Sequence, residues 1–323
     1  MRNNRIDNIK FFLIFCVVFG HMLELVDTGV WYKIIYSFHM PAFIFVSGYF
    51  AQFNRKKIIG VLVYPYILFQ CLYLLFDAVL IKQNLALLKI QFTTPYWLLW
   101  YLVAMIFYYT VIPYIVNGNF RILFGAAVFL SLIAGMDASI GYYLSLSRFF
   151  TFLPYFILGV GWKSLRADQL RKSSVFKIVN VLLVLITCYV LGRYHFISNL
   201  MLYGSLSYAR GHYNFIIKGI LLLCGINWIF FFMWIIPSKS IPLITSVGKN
   251  TLIIFLLHGF IVKSLEHIGG IFVYSKAVNI CLAALISLVI VFLFGNDFIG
   301  SLGKMVFTGK GIEKIAGYCR HQR

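Results

Sequence analysis

Long apolar runs, separated by short polar stretches, dominate this chain. At about 20 residues per bilayer crossing, the pattern predicts helices near residues 8–25, 34–53, 58–81, 96–116, 121–136, 148–163, 177–194, 214–236, 250–267 and 277–299. The expected fold is an all-α integral membrane protein, a polytopic bundle of about ten transmembrane helices. It forms one domain over residues 1–323 with no sizeable soluble part. The fifth and sixth runs are the least regular, since Asp137, Ser139 and Ser147 interrupt them. The longest polar segment, residues 163–177, is too short to bury a core of its own.

Composition narrows the class: 62% of residues are hydrophobic and only 11% charged, too few charges to cover a water-soluble surface. The first apolar run follows a basic segment, and His21 and Glu24 stand where a small-residue cleavage site would be needed, so that run is expected to be a retained helix. Of the 28 Lys and Arg, 19 fall on the side of both termini and 9 on the other. Cytoplasmic flanks collect such residues, which predicts a multi-pass cell-membrane protein with both termini in the cytoplasm. The net charge of +19 needs no nucleic acid; membrane lipid headgroups or an anionic ligand account for it. Six cysteines stand singly at Cys16, Cys71, Cys188, Cys224, Cys281 and Cys319, without metal-ligand spacing, so neither disulfides nor a metal is expected.

Chemistry is expected inside the bundle, because ionisable side chains at bilayer depth are costly and mark function by default. His21 lies in the first run and His39 in the second, at similar expected depth, so two imidazoles converge if the helices pack. Lys10 precedes His21 by eleven residues, about 20° off one helical face and about 16 Å along the axis. Asp7 extends the same stripe. Arg55, Lys56 and Lys57 form a cluster suited to lipid headgroups or to a phosphate-bearing ligand.

The opening RIDNIKFFLIFCVVFGH, then YSFHMPAFIFVSGYF, then RKK with a downstream YPY resemble the membrane acyltransferase 3 family, and within it the fucose 4-O-acetylase-like branch. Looser agreement follows in PYWLLWYL (95–102), SRFFTFLPYFILG (147–159) and GKNTLIIFLLH (248–258). The resemblance implies transfer of an acyl group, commonly acetyl from acetyl-CoA, to an extracytoplasmic carbohydrate hydroxyl. It implies that Lys10 and His21 form the family's basic-residue and histidine pair, with His21 catalytic. It also implies that Arg55, Lys56 and Lys57 meet the CoA phosphates, although RKK departs from the commoner paired-arginine form.

A sugar hydroxyl is a weak nucleophile, and a neutral imidazole is suited to take its proton. His21 is the candidate base, with Glu24 one turn onward as orienting carboxylate. His39, Arg148 and His258 are candidates for the acceptor or oxyanion site, against packing for His39 and snorkelling to headgroups for Arg148. Trp97, Trp100 and Tyr101 read either as a sugar-stacking wall or as an interfacial belt. Tyr203, Ser205, Arg210 and His212 are acceptor contacts by location only, and Asp77 and Asp297 are left out of the site. The expected partners are acyl-CoA, a carbohydrate acceptor, membrane lipid and polysaccharide-synthesis proteins. Two other readings compete: a transporter or flippase of a sugar-linked or anionic metabolite, and an inactive scaffold of a polysaccharide-synthesis complex. No internal repeat of the transporter kind is visible.

Overall fold

The computed structural model describes residues 3–165, 169, 172–194 and 197–307. Arg2, Arg166, Arg171, Lys310, Lys314, Arg320 and Arg323, counted above for orientation, lie outside the described residues, as does Cys319.

Each expected run is helical: α1 (Asn4–Leu23), α2 (Val30–Tyr49), α3 (Arg55–Ile81), α4 (Trp97–Val116), α5 (Phe120–Ile133), α6 (Tyr143–Gly161), α7 (Ser174–Arg193), α8 (Phe215–Ile235), α9 (Thr251–Ile268) and α10 (Lys276–Gly295). Successive helices alternate in direction. The end of the bundle that holds Asn4 is the near end, and the end that holds Leu23 is the far end. Eight of these helices are long and apolar enough to cross a membrane. The others are α2, which is 20 residues long but carries Ser37, His39 and Ser47, and α5, whose 14 residues make it shorter than expected. The third helix extends past the predicted start so that Arg55, Lys56 and Lys57 form its first turn, and π-helical stretches interrupt it at Ile59–Val63 and Asp77–Ile81. The tenth run is shorter than predicted, because the chain turns at Asn296. That residue's side chain accepts from Ile299 N and caps a separate helix, Asp297–Val306.

α1 is the central helix. Asn3 caps its start by accepting from Arg5 N, and its residues are buried on every side, against α2, α9 and α10. The peripheral α7 is as apolar yet mostly exposed, with Leu182, Leu183, Leu185 and Ile186 pointing away from the bundle. The closest helix pair is α2 with α6. A β-carbon at Gly48 would lie 2.2 Å from the Phe156 carbonyl oxygen, and one at Gly159 2.1 Å from that of Phe45. Small residues on both helices therefore let the backbones touch, the usual way helices associate where lipid removes any hydrophobic bias between them.

Polar contacts pin both ends. At the near end the Asn8 amide donates to the carbonyls of Pro237 and Lys239, and Thr245 Oγ1 donates to Asn8 Oδ1. At the far end Lys276 pairs with Asp27 at 2.9 Å.

Candidate active site

The far-end half of the bundle encloses a cavity of about 320 Å³. His21 and Glu24 reach it from the end of α1, Tyr36 and His39 from α2, and Trp97 and Trp100 from the start of α4. Arg148 reaches it from α6, Tyr203 from the short helix Asn199–Tyr203, and Phe255 from α9. Among the described residues no group of three or more His, Cys, Asp or Glu side chains is placed to hold a metal ion.

The polar centre is one connected network whose proton directions follow from the bonds. Tyr36 OH donates to Glu24 Oε1 at 2.5 Å and Tyr32 OH donates to the same oxygen at 3.1 Å. Having spent its proton on Glu24, Tyr32 accepts from Tyr203 OH at 2.7 Å. His21 Nδ1 lies 3.4 Å from Glu24 Oε1 and 3.3 Å from Tyr36 OH. Tyr36 has no second proton to give, so Nδ1 carries the hydrogen and the lone pair of His21 resides on Nε2. Nucleophile-activating imidazoles use this arrangement: a carboxylate fixes the tautomer and leaves the other nitrogen as a base.

His39 and His258 are held in the same tautomer by their own helices. His39 Nδ1 donates to Ile35 O at 2.8 Å and His258 Nδ1 to Ile254 O at 3.0 Å, each a bond back to residue i−4. His39 lies edge-on to Tyr36, with ring centroids 4.6 Å apart. His258 stacks beside His21 at 5.5 Å, fully buried, and its Nε2 has no hydrogen-bond partner among the described residues. Trp97 covers another side of His21, with centroids 4.6 Å apart. It has φ +35°, a strained conformation for a non-glycine residue that concentrates at functional positions.

Arg148 enters from the opposite wall. Leu144 and Ser145, both in the left-handed region, break the first turn of α6 just before Arg148. Its Nε donates to Tyr203 O at 3.3 Å, and its guanidinium lies 4.9 Å from the Trp100 ring centre and 5.4 Å from that of Tyr142. Trp100 and Trp97 thus serve the cavity from the start of α4, and Tyr101 sits deeper, its hydroxyl 2.7 Å from Ser47 Oγ.

A second, larger cavity of about 1110 Å³ opens at the near end. Lys10, Lys57 and Lys163 line it together with Asn3, Gln52 and Asn117. Lys10 is ion-paired with Asp7 at 2.7 Å. All three cations of the cluster expected from the sequence are exposed, but only Lys57 lines this cavity, and Lys163 joins it from the end of α6. A mostly apolar void of about 70 Å³ adjoins the far-end cavity, sharing Val17, Met40 and Phe255 with it, and is also lined by Phe43, Tyr101 and Thr251.

Of the loop residues singled out by location, Tyr203 lines the cavity and Ser205 donates to Tyr142 OH, whereas Arg210 and His212 are exposed and stand apart. The sequence reading overlooked Tyr32, Tyr36 and Lys163. The first two were detectable: Tyr32, Tyr36 and His39 recur at i, i+4 and i+7 on one face of α2. Lys163 carried no local signal, because only the approach of α6 to α2 brings it to the cavity.

No curated protein and no solved structure gave a match to this chain. Residues 3–296, nearly the whole chain, match a family model described as an acyltransferase domain. A membrane-spanning helical bundle with two cavities, one holding a carboxylate-oriented imidazole, is consistent with that match, and the chain belongs to the acyltransferase 3 family.

Proposed function

We propose that this membrane acyltransferase moves acetyl from cytoplasmic acetyl-CoA to a hydroxyl of an extracytoplasmic carbohydrate, as in the fucose 4-O-acetylase-like branch. In this reading the near end and both termini face the cytoplasm and the far-end cavity faces outward. The observation that carries it is the Glu24–His21 pair, whose bonds leave Nε2 of His21 as a base in a cavity walled by tryptophans.

The CoA phosphates meet Lys57, Lys10 and Lys163 in the near-end cavity, with Arg55 and Lys56 as outlying charge at its rim. The pantetheine arm runs through the apolar void beside Met40 and Phe255, past the Ser47–Tyr101 bond. The thioester carbonyl then lies beside His21. The acceptor hydroxyl gives its proton to His21 Nε2 while its oxygen bonds to the acyl carbon, the carbon–sulfur bond breaks, and the proton passes to the departing CoA thiolate. Glu24 holds the imidazolium that forms. His39 Nε2 accepts from acceptor hydroxyls. His258 backs His21, and Trp97 offers the sugar a stacking face.

Radiolabelled acetyl-CoA incubated with membranes and surface glycans, with the wild-type chain or His21→Ala at matched levels, tests the reading. Label on glycan from the wild type alone supports it. Label from neither, with several acceptors and succinyl-CoA tried, sinks it in favour of transport or scaffolding.

A further inference from the structure

Two cations, Lys218 buried and Arg148 half-buried, lie in the far-end half of the bundle without a carboxylate partner among the described residues. Lys218 is 6% exposed, and its Nζ donates to Thr151 Oγ1 at 2.7 Å. Arg148 lines the main cavity and is bonded to the Tyr203 carbonyl. The two are linked through adjacent residues, since Thr151 Oγ1 donates in turn to Gly204 O at 3.1 Å. Lys218 also lines a void of about 40 Å³ that shares Tyr36, Phe152 and Leu202 with the main cavity. Each cation lies in the first turn of a helix, α8 for Lys218 and the α-helical part of α6 for Arg148. There the positive end of the helix dipole opposes it further.

The remaining carboxylates do not answer this charge. Glu24 is engaged by Tyr32, Tyr36 and His21. Glu266 pairs with Lys263, Asp27 with Lys276 and Asp77 with Lys82. Asp137 is exposed on its own turn, bonded to Ser139 N, and Asp7 and Asp297 lie at the near end. Asp168 and Glu313 lie outside the described residues. Buried charge is tolerated only when compensated. Arg148 on the cavity wall, with Lys218 one layer behind it, therefore stands against the single, already committed Glu24.

We propose that the acceptor is anionic, carrying a carboxylate or phosphate close to the hydroxyl that is acylated, and that Arg148 is the residue that selects it. This rests on the acyltransferase reading above. The guanidinium is bonded to protein through Nε, so its terminal N–H groups are the fork that grips a carboxylate or phosphate in two places. Trp100 and Tyr142 hold the group in position by their rings. Lys218, one layer behind, adds to the field without touching the acceptor and is a positioning residue.

The test uses the purified full-length protein and three fluorescent probes: a neutral oligosaccharide, the same oligosaccharide with a hexuronic acid in place of one hexose, and the neutral sugar on a polyprenyl phosphate. Binding by anisotropy reads the site independently of the reaction. We expect the wild type to bind one anionic probe at least about tenfold more tightly than the neutral one, which of the two separating a sugar acid from a lipid-linked phosphate. Arg148→Gln removes that preference and Arg148→Lys restores part of it. Lys218→Met weakens the anionic probe about threefold, an effect that added salt diminishes. Equal wild-type affinity for all three probes overturns the proposal, with no need for any variant to fold. So does an Arg148→Gln variant that keeps the preference. Transfer of label from acetyl-CoA is measured beside binding: anion preference without transfer retains the anionic site and removes the acyltransferase mechanism, whereas transfer without anion preference does the reverse.

Discussion

The two cavities are built on opposite principles. At the far end the geometry around the base is fixed by short bonds: Glu24 accepts from two tyrosines and lies beside His21 Nδ1, and three imidazoles are set in one tautomer by a carboxylate or a backbone carbonyl. The near-end cavity is more than three times larger and is lined by flexible lysines. Lysine ammonium groups at 5.6 to 6.0 Å from aromatic rings make no geometric demand comparable to a shared proton. Proton transfer requires heavy atoms within about 3 Å and the right tautomer, while attraction of a phosphate tolerates displacement. The contrast predicts that substitutions of the His21–Glu24 pair change kcat and substitutions at the near end change KM for acetyl-CoA.

The largest expected effect is at His21. His21→Ala is expected to lower kcat by roughly 10³-fold or more, measured as label transfer at saturating acetyl-CoA, since it removes the base itself. Glu24→Gln follows at roughly 10²-fold, again in kcat, because an amide permits the wrong tautomer; a fall in kcat/KM for acetyl-CoA through KM alone would contradict the assigned role. Packing comes next: Gly159→Ala drives a methyl group into the Phe45 carbonyl and is expected to cost about 1–3 kcal/mol of stability, read as a lower melting temperature in detergent. Lys57→Ala is expected to raise KM for acetyl-CoA about fivefold with kcat unchanged, the difference shrinking in high salt. Smallest is Lys56→Ala, about twofold in the same KM, because that side chain is exposed outside the cavity. If Lys56→Ala matched Lys57→Ala, the division of the basic cluster would be wrong.

Part of the site was readable because it is local. Glu24 follows His21 by three residues on one helix, so their contact is set by helical geometry alone. The first turn of α3 was equally visible as a basic cluster, but which of its cations lines the near-end cavity was not. That depends on α4, whose Tyr109 ring Lys57 approaches at 5.9 Å. Arg148 was marked by its rarity at depth, yet its environment of Trp100, Tyr142 and Tyr203 comes from three separate segments. Lys218 drew no attention at all, since a lysine near a helix start reads as an interfacial anchor until its partner Thr151 is known.

By itself the sequence determined that this chain is a bundle of membrane-crossing helices and where each begins and ends to within a few residues. A bilayer admits only backbone satisfied within each segment, so every crossing must be written as one long apolar run. It also marked His21, His39, His258 and Arg148 as polar residues at depth. Only the tertiary structure decided which of them meet: that His258 stacks on His21 from the far side of the chain, and that α1 is the centre while the equally apolar α7 lies at the edge. The physical reason is that lipid tails are as apolar as leucine, so the hydrophobic pattern does not distinguish the face turned to the bundle from the face turned to lipid. Close contacts such as Gly48 and Gly159 settle the rotation of each helix instead.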